Sequence, residues 1–207
     1  MGTGPVLGDQ QGSARLYRFV SRFYDVLRPL FAGFQATREQ YHSFLELGPS
    51  DRILDLGCGT GESTRPLIGD GREVCGIDLS ARQLTQARRK EDLSPVSFIL
   101  GDGMALPFRA NRFDAVTSVG SLQHVPDVSL ALEEAHRVTR PGGRLFVVGP
   151  KRPESRVGGA IADALMHFMV PEEMRSMARA AGYVEVETHL VHMDYLARDA
   201  LVLTGRA

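Results

Sequence analysis

The sequence predicts an α/β fold: a mostly parallel sheet with helices on both of its faces. Three observations lead there. Short apolar runs that read as buried strands alternate with helical stripes about every 20 residues through the middle of the chain. The first of these runs opens directly into a glycine-rich turn. Acidic residues then stand at the ends of three successive predicted strands, along one edge of the sheet.

Met1 to Gly12 is glycine-rich and polar, and residues 1–14 are predicted to be a flexible tail. Residues 15–48 are predicted to form a helical cap. Within it Leu16, Phe19, Val20, Phe23 and Leu27 recur at helical spacing, Pro29 interrupts, and Tyr41, Phe44 and Leu45 carry a last helix to Gly48–Pro49. The main domain is placed at 49–207. Arg52–Leu56 is a buried strand, Gly57–Gly61 a turn, and Thr60 to Ile68 a short helix. Glu73–Ile77 is a second strand. Ser80 caps a helix to about Lys90, with Gln83 as the partner of a capping box.

Val96–Leu100 and Phe113–Val119 are the third and fourth strands. Asp127 caps a helix whose stripe is Val128, Ala131, Leu132, Ala135 and Val138. Pro141–Gly142–Gly143 turns the chain into a fifth strand, Arg144–Val148. Pro171 opens another helix, with a stripe of Met174, Met177, Ala178 and Ala181 that ends at Gly182. The strands at Val184–Thr188 and Ala200–Thr204 have no helix between them. They should pair as a hairpin and add an antiparallel strand, making seven strands in all.

Composition narrows the function. The formal net charge is −1, from 24 basic and 25 acidic residues, which argues against a polyanion partner. No apolar run approaches a membrane span, so stable membrane insertion is not expected. Two cysteines, Cys58 and Cys75, form no disulfide framework, and a cytoplasmic location is expected. His189 and His192 fall on opposite faces of a strand, and the histidines form no metal set.

The informative segment is Asp55-Leu56-Gly57-Cys58-Gly59-Thr60-Gly61. Glycines there let the chain turn tightly and bring backbone N–H groups against a ligand. Asp78 ends the second strand, 17 residues after Gly61, where a ribose-binding acid sits in dinucleotide folds. Asp78 can accept two ribose hydroxyls, and Asp102, after the third strand, can accept from an adenine amino group. Asp55 lies where a pyrophosphate would rest, so its carboxylate opposes phosphate and favours a cation. With the GxGxG spacing, this favours a nucleoside bearing ammonium or sulfonium charge over a nicotinamide dinucleotide.

The chain resembles the class I S-adenosylmethionine-dependent methyltransferases, and among them the small-molecule and quinone-biosynthesis C-methyltransferase group. The matching pieces are LDLGCGTG (54–61), GIDLS (76–80), GDGMALPF (101–108), FDAVTSVGSLQHVPD (113–127) and RVTRPGGRLFVV (137–148). The resemblance implies a Rossmann-like fold and S-adenosyl-L-methionine as cofactor. It implies the methionine end near Asp55, Gly57 and Gly59, ribose at Asp78 beside Leu79, and adenine near Asp102, Gly103 and Met104. It places Val119 and the segment Ser118 to Gln123 at the methyl group.

Such an enzyme aligns an acceptor with the sulfonium and excludes water. His124, just past the fourth strand, is one candidate to take the acceptor's proton. It is also a candidate to tie its loop to the backbone. Tyr24 and His167 are further base or orienting candidates. Phe19, Phe23, Leu27, Phe31, Leu165, Phe168 and Met169 can wall an apolar acceptor pocket or be plain helix core. The segment 150–170 is shorter than in quinone-type members, so the expected acceptor is a small apolar or lipid-like molecule. An RNA or protein methyltransferase, a cofactor-binding partner subunit and a nicotinamide-linked oxidoreductase remain as alternatives.

Overall fold

The computed structural model describes residues 42–69, 71–151, 169–192 and 199–207. The expected tail and all but the end of the expected helical cap lie outside the described residues. The strands are β1 (Arg52–Leu56), β2 (Glu73–Asp78), β3 (Ser97–Leu100), β4 (Phe113–Val119), β5 (Thr139–Pro150), β6 (Val184–His192) and β7 (Asp199–Arg206). The helices are α1 (Ala81–Ala87), α2 (Val128–Val138) and α3 (Pro171–Ala180).

The strands form one seven-stranded sheet in the order β3-β2-β1-β4-β5-β7-β6. β1 to β5 pair in parallel, and β7 runs antiparallel to both β5 and β6. The predicted sheet and its terminal hairpin are therefore present. The order reverses at β1, which puts β1 and β4 at the centre of the edge where ligands bind in such sheets.

Alternation along the strands sorts the core into two layers. Leu54, Leu56, Val116, Leu145 and Val147 pack with the apolar stripes of α2 and α3. Ile53, Ala115, Val119, Phe146 and Val148 pack on the other face with Leu45, Leu67 and Ala87. Both helical stripes are set as the spacing predicts: Ala131, Leu132, Ala135 and Val138 of α2 are buried, as are Met174 and Ala178 of α3. Asp127 caps α2 by accepting from the Leu130 amide at 3.0 Å.

Local details depart from expectation where backbone chemistry intervenes. The helix expected over Thr60–Ile68 is a single 3-10 turn, Arg65–Leu67, because Pro66 removes an amide donor and suits only a first turn. The helix expected around Tyr41–Leu45 is described as a 3-10 turn over His42–Leu45. α1 stops at Ala87, and a third 3-10 turn follows at Glu91–Leu93. β5 is longer than expected. Phe113 pairs with Thr139 and Ala115 with Arg144, so Pro141–Gly143 is an excursion within the strand. At β1's other end, away from the glycine turn, Asp114 forms ion pairs with Arg52 and Arg140. Charge there is neutralised far from the glycine turn.

Candidate functional site

β1 ends at Leu56, and the chain turns at Gly57 with φ +73°. The Gly57 and Cys58 amides both donate to the Ile77 carbonyl, at 2.8 and 3.1 Å. The Gly59 amide donates to Asp78 Oδ2 at 2.8 Å, and the Gly61 amide to the Cys58 carbonyl at 2.9 Å. The turn is thus strapped to the end of β2. This corrects the expectation that its N–H groups face a ligand, since these four are used within the fold.

Gly57 is required by close approach as well as by φ, since a Cβ on it would lie 2.3 Å from Ser121 Cβ; at Gly59 the φ of +55° is the constraint, with the Gln83 side chain lying against it. Ser121 also donates to the Leu56 carbonyl at 2.8 Å and shares a 2.5 Å hydrogen bond with Ser118. The loop after β4 therefore packs onto the turn after β1. Ser80 caps α1 through the Gln83 amide at 3.4 Å, while the Gln83 side chain turns to Gly59.

The three acids have different positions. Asp78 is 6% exposed, with its Oδ1 accepting from the Ser80 amide at 2.8 Å while Oδ2 holds Gly59. Burial raises its pKa above the usual carboxylate value, against the two amides, which lower it. An ionised carboxylate has about four acceptor sites, so this one retains two for hydroxyl donors. Asp102 is half-buried at the same edge, and its Oδ1 accepts from the Met104 amide at 2.9 Å. Leu79 is 59% exposed beside Asp78, Met104 packs against the α2-side core, and Gly103 lies against Leu56.

Asp55 does not line this edge. It is 0% exposed, and its side chain points beneath the turn to the face opposite α2. Its Oδ2 accepts from Ser63 at 3.0 Å and Thr64 at 2.6 Å, and its Oδ1 from Thr117 at 3.2 Å. Asp55 and Thr117 are register partners across β1 and β4, so period-two geometry sends both to one face. Three hydroxyl donors hold the Asp55 carboxylate beneath the turn. Ser63 and Thr64 just past the turn are the local part of this arrangement; Thr117 joins them only through the pairing of β1 with β4.

Its charge still acts at the turn. Cys58, buried in the loop, has its thiol pKa pushed up by burial and then by the negative fields of Asp55 and Asp78. An anion placed at the loop would meet the same fields, and a cation the opposite effect.

Past β4, Val119 is buried and Leu122–His124 forms a 3-10 turn. Burial lowers the His124 pKa below its ordinary value of 6.5, so the ring is neutral at pH 7. Tyr24 and His167 lie outside the described residues, as do Phe19, Phe23, Leu27, Phe31, Leu165 and Phe168. Met169 is described, and it is core: 4% exposed and packed against Gly149. Two further residues matter here, Lys90, to which sequence reasoning gives no site role, and Gln123, which it names only as the end of the Ser118 to Gln123 segment. Lys90 donates to the Thr60 carbonyl at 2.6 Å and to Glu62 at 2.5 Å, bracing the turn from α1's end. Gln123 is buried, and its Oε1 has no hydrogen-bond partner among the described residues.

The methyltransferase domain family matches residues 54–147. A chloroplastic 2-methyl-6-phytyl-1,4-hydroquinone methyltransferase 2 of Oryza sativa is 35% identical over 180 residues, covering 83% of this chain and 50% of the relative. A demethylmenaquinone methyltransferase of Corynebacterium glutamicum is 32% identical over 167 residues, covering 80% of this chain and 71% of the relative. Thus the chain spans about half the length of the plant relative. Among solved structures, a SAM-dependent methyltransferase of Thermotoga maritima, described as a possible histamine N-methyltransferase, superposes with a TM-score of 0.70. It is 25% identical, with 92% of this chain and 99% of that one covered.

Proposed function

We propose that this chain, which belongs to the S-adenosylmethionine-dependent methyltransferase family, transfers a methyl group to a small apolar acceptor of the hydroquinone type. The observation that carries this reading is the internal use of the glycine turn's amides together with the spare acceptor capacity of Asp78. A dinucleotide's pyrophosphate needs free N–H donors and a positive field. This turn has four amides committed internally and two carboxylates nearby. A ribose with two hydroxyls and an uncharged or cationic substituent fits it.

The family's cofactor supplies an electrophilic methyl on sulfonium sulfur. When bound it would supply that methyl by a displacement in which the carbon–sulfur bond breaks as the acceptor's electron pair forms the new bond, with the thioether as leaving group and a proton lost from the acceptor. In this reading Asp78 holds the ribose, Leu79 and Met104 flank the adenine, and Asp102 faces its amino group. Ser118 to Gln123 borders the methyl group. His124 takes the acceptor's proton, its neutral ring being kept so by burial. Asp55 acts by fixing the turn and by its field.

The relatives named for phytyl hydroquinone and demethylmenaquinone support a lipid-like aromatic acceptor. A net charge of −1 favours a small molecule over RNA. No helix among the described residues is long and apolar enough to cross a membrane. Two free thiols suit a reducing, cytoplasmic compartment.

Calorimetric titration with S-adenosylhomocysteine and with NAD separates the classes. The expected result is saturable binding of the first alone. Binding of NAD without S-adenosylhomocysteine sinks the reading. Given an alkylated hydroquinone, the isolated chain should then methylate it, with a rate that falls only as pH drops below the lowered His124 value. Failure of this step, with cofactor binding intact, would point to a partner-dependent subunit.

A further inference from the structure

The segment between β3 and β4 carries Asp102, Gly103 and Met104 and contains no helix or strand. Its backbone groups need partners from outside a ladder. At its start the Gly101 amide donates to the Asp78 carbonyl at 3.1 Å, and the Ala105 amide closes a turn on the Asp102 carbonyl at 3.1 Å. Further along, two charged side chains of α2 take over. Glu134 accepts from the Leu106 amide at 2.7 Å. Arg137 donates to the Leu106 carbonyl at 3.1 Å and to the Phe108 carbonyl at 2.8 Å. Both backbone groups of Leu106 thus end on side chains 28 and 31 residues away.

Glu134 and Arg137 also hold each other. Arg137 Nε donates to Glu134 Oε1 at 2.6 Å and Nη2 to Oε2 at 2.8 Å, a two-pronged contact between planar groups. They stand one helical turn apart and flank the buried stripe of Ala131, Ala135 and Val138. Their side chains are 18% and 38% exposed, so the pair is partly desolvated. Hydrogen bonding from Arg137 holds the Glu134 carboxyl below its ordinary 4.5, which keeps it ionised at neutral pH. Leu106, the gripped residue, is 5% exposed and packs in the core. Just before it, Met104 packs on the same core, with its amide on Asp102 Oδ1 at 2.9 Å. A fixed Leu106 therefore restrains Met104, and Met104 restrains the direction of the Asp102 carboxylate.

We infer that Glu134 and Arg137 are positioning residues for the cofactor: as a pair they set the Asp102–Met104 turn in the shape that receives adenine. This rests on the function proposed above and deepens it, since it makes cofactor affinity depend on an ion pair that acts only through backbone. A turn already set in shape avoids the ordering cost that a loose one would subtract from binding. α2 also starts directly after the loop that contains the turn Leu122–His124. One helix thus carries the turn beside the proposed methyl site and the grip on the adenine side.

The test is S-adenosylhomocysteine binding by calorimetry, together with hydrogen exchange of segment 101–108 in the free protein. Arg137→Met keeps the aliphatic stem and removes the bonds to both carbonyls and to Glu134. It should weaken S-adenosylhomocysteine about tenfold and speed exchange of the Met104, Ala105 and Leu106 amides by a similar factor, with the amides of β1 and β4 unchanged. Arg137→Lys keeps the charge but not the fork. It is the milder variant if Arg137→Met does not fold, and it should lose about threefold in affinity. Glu133→Gln, on the exposed neighbour, should change neither readout. Affinity within about twofold of the unaltered chain in the arginine variants overturns the assignment even where the melting temperature falls, because the pair is then only a staple. Weaker binding without faster exchange in 101–108 overturns it as well, by placing the loss elsewhere. If the unaltered chain does not bind S-adenosylhomocysteine, the functional reading fails instead, and the exchange measurement still judges whether the pair sets the segment.

Discussion

The two sides of the turn after β4 differ in how far their polar groups are used. On the side of β1 and β2, donors and acceptors largely satisfy one another: amides on Ile77 and Asp78, hydroxyls on Asp55, Lys90 on Thr60. On the side of α2 and α3, the Gln123 carbonyl lacks a described partner beside an apolar cavity. The first side is a stiff frame that exists before any ligand arrives, with little left to offer except the spare capacity of Asp78. The second is incomplete. A frame of this kind suits a cofactor whose shape is constant.

The sharpest way to break this comparison is to remove the frame's buried anchor. Asp55→Ala would strand the Ser63, Thr64 and Thr117 hydroxyls around a void. The expected loss is about 3–5 kcal/mol of unfolding free energy, read from the urea midpoint at constant slope. If stability drops by less than about 1 kcal/mol while cofactor affinity collapses, Asp55 is a ligand residue and the frame description fails.

How much of this was legible in the sequence divides along the same line. Strand periodicity, the capping aspartate of α2 and the stripes of α2 and α3 depend on local pattern, and they lie where the spacing puts them. The seven strands and the final hairpin followed from counting elements and the lengths between them. Side-chain direction at Asp55 did not follow from a motif. It depends on the pairing of β1 with β4, 62 residues apart, and only register reveals that Thr117 shares its face. The 3-10 turn at Pro66 reflects a proline in a stretch too short for its missing donor to be absorbed. Gln123 is named in the sequence only as the end of the Ser118 to Gln123 segment, because its buried carbonyl without a described partner is visible only in the packed fold.

On the proposed reading Asp78 links the frame to the cofactor's ribose, and its replacement should have the next largest effect. Asp78→Ala removes the acceptor for two ribose hydroxyls and releases the Gly59 amide. S-adenosylhomocysteine affinity should fall by roughly 1.5–3 kcal/mol. In the unaltered chain, burial raises the Asp78 pKa, so acidification protonates it sooner than an ordinary carboxylate with a value of 3.8. Hydroxyl donors bind the ionised form, so cofactor affinity should weaken as pH falls through that raised value. The free protein has the opposite sign: a raised acid contributes stability below 3.8 that is lost as pH rises through the folded-state value. Binding should therefore release protons in this window, which calorimetry in buffers of different ionisation enthalpy detects. No proton release, with affinity flat across the window, would remove Asp78 from the ribose.

The smallest effect tests whether the frame is braced from outside. Lys90 is 24% exposed and reaches both the Thr60 carbonyl and Glu62, which is 11% exposed. Burial raises the Glu62 pKa, but its hydrogen bonds to Lys90 and Arg65 outweigh that and hold it below the ordinary 4.5. A carboxylate held low contributes stability that is present above 4.5 and lost as pH falls through the folded-state value. Lys90→Met keeps the aliphatic stem and removes the ammonium, so near neutral pH it should cost about 1 kcal/mol. As pH falls through that lowered value the cost should shrink, because protonation of Glu62 weakens the pair. The remaining cost there belongs to the Thr60 carbonyl, and its size measures how much of the brace is independent of charge. A pH-independent loss would mean that Lys90 holds the turn through Thr60 alone. A loss of zero at both pH values would mean that the turn's own amides suffice, and that the frame needs no support beyond β2.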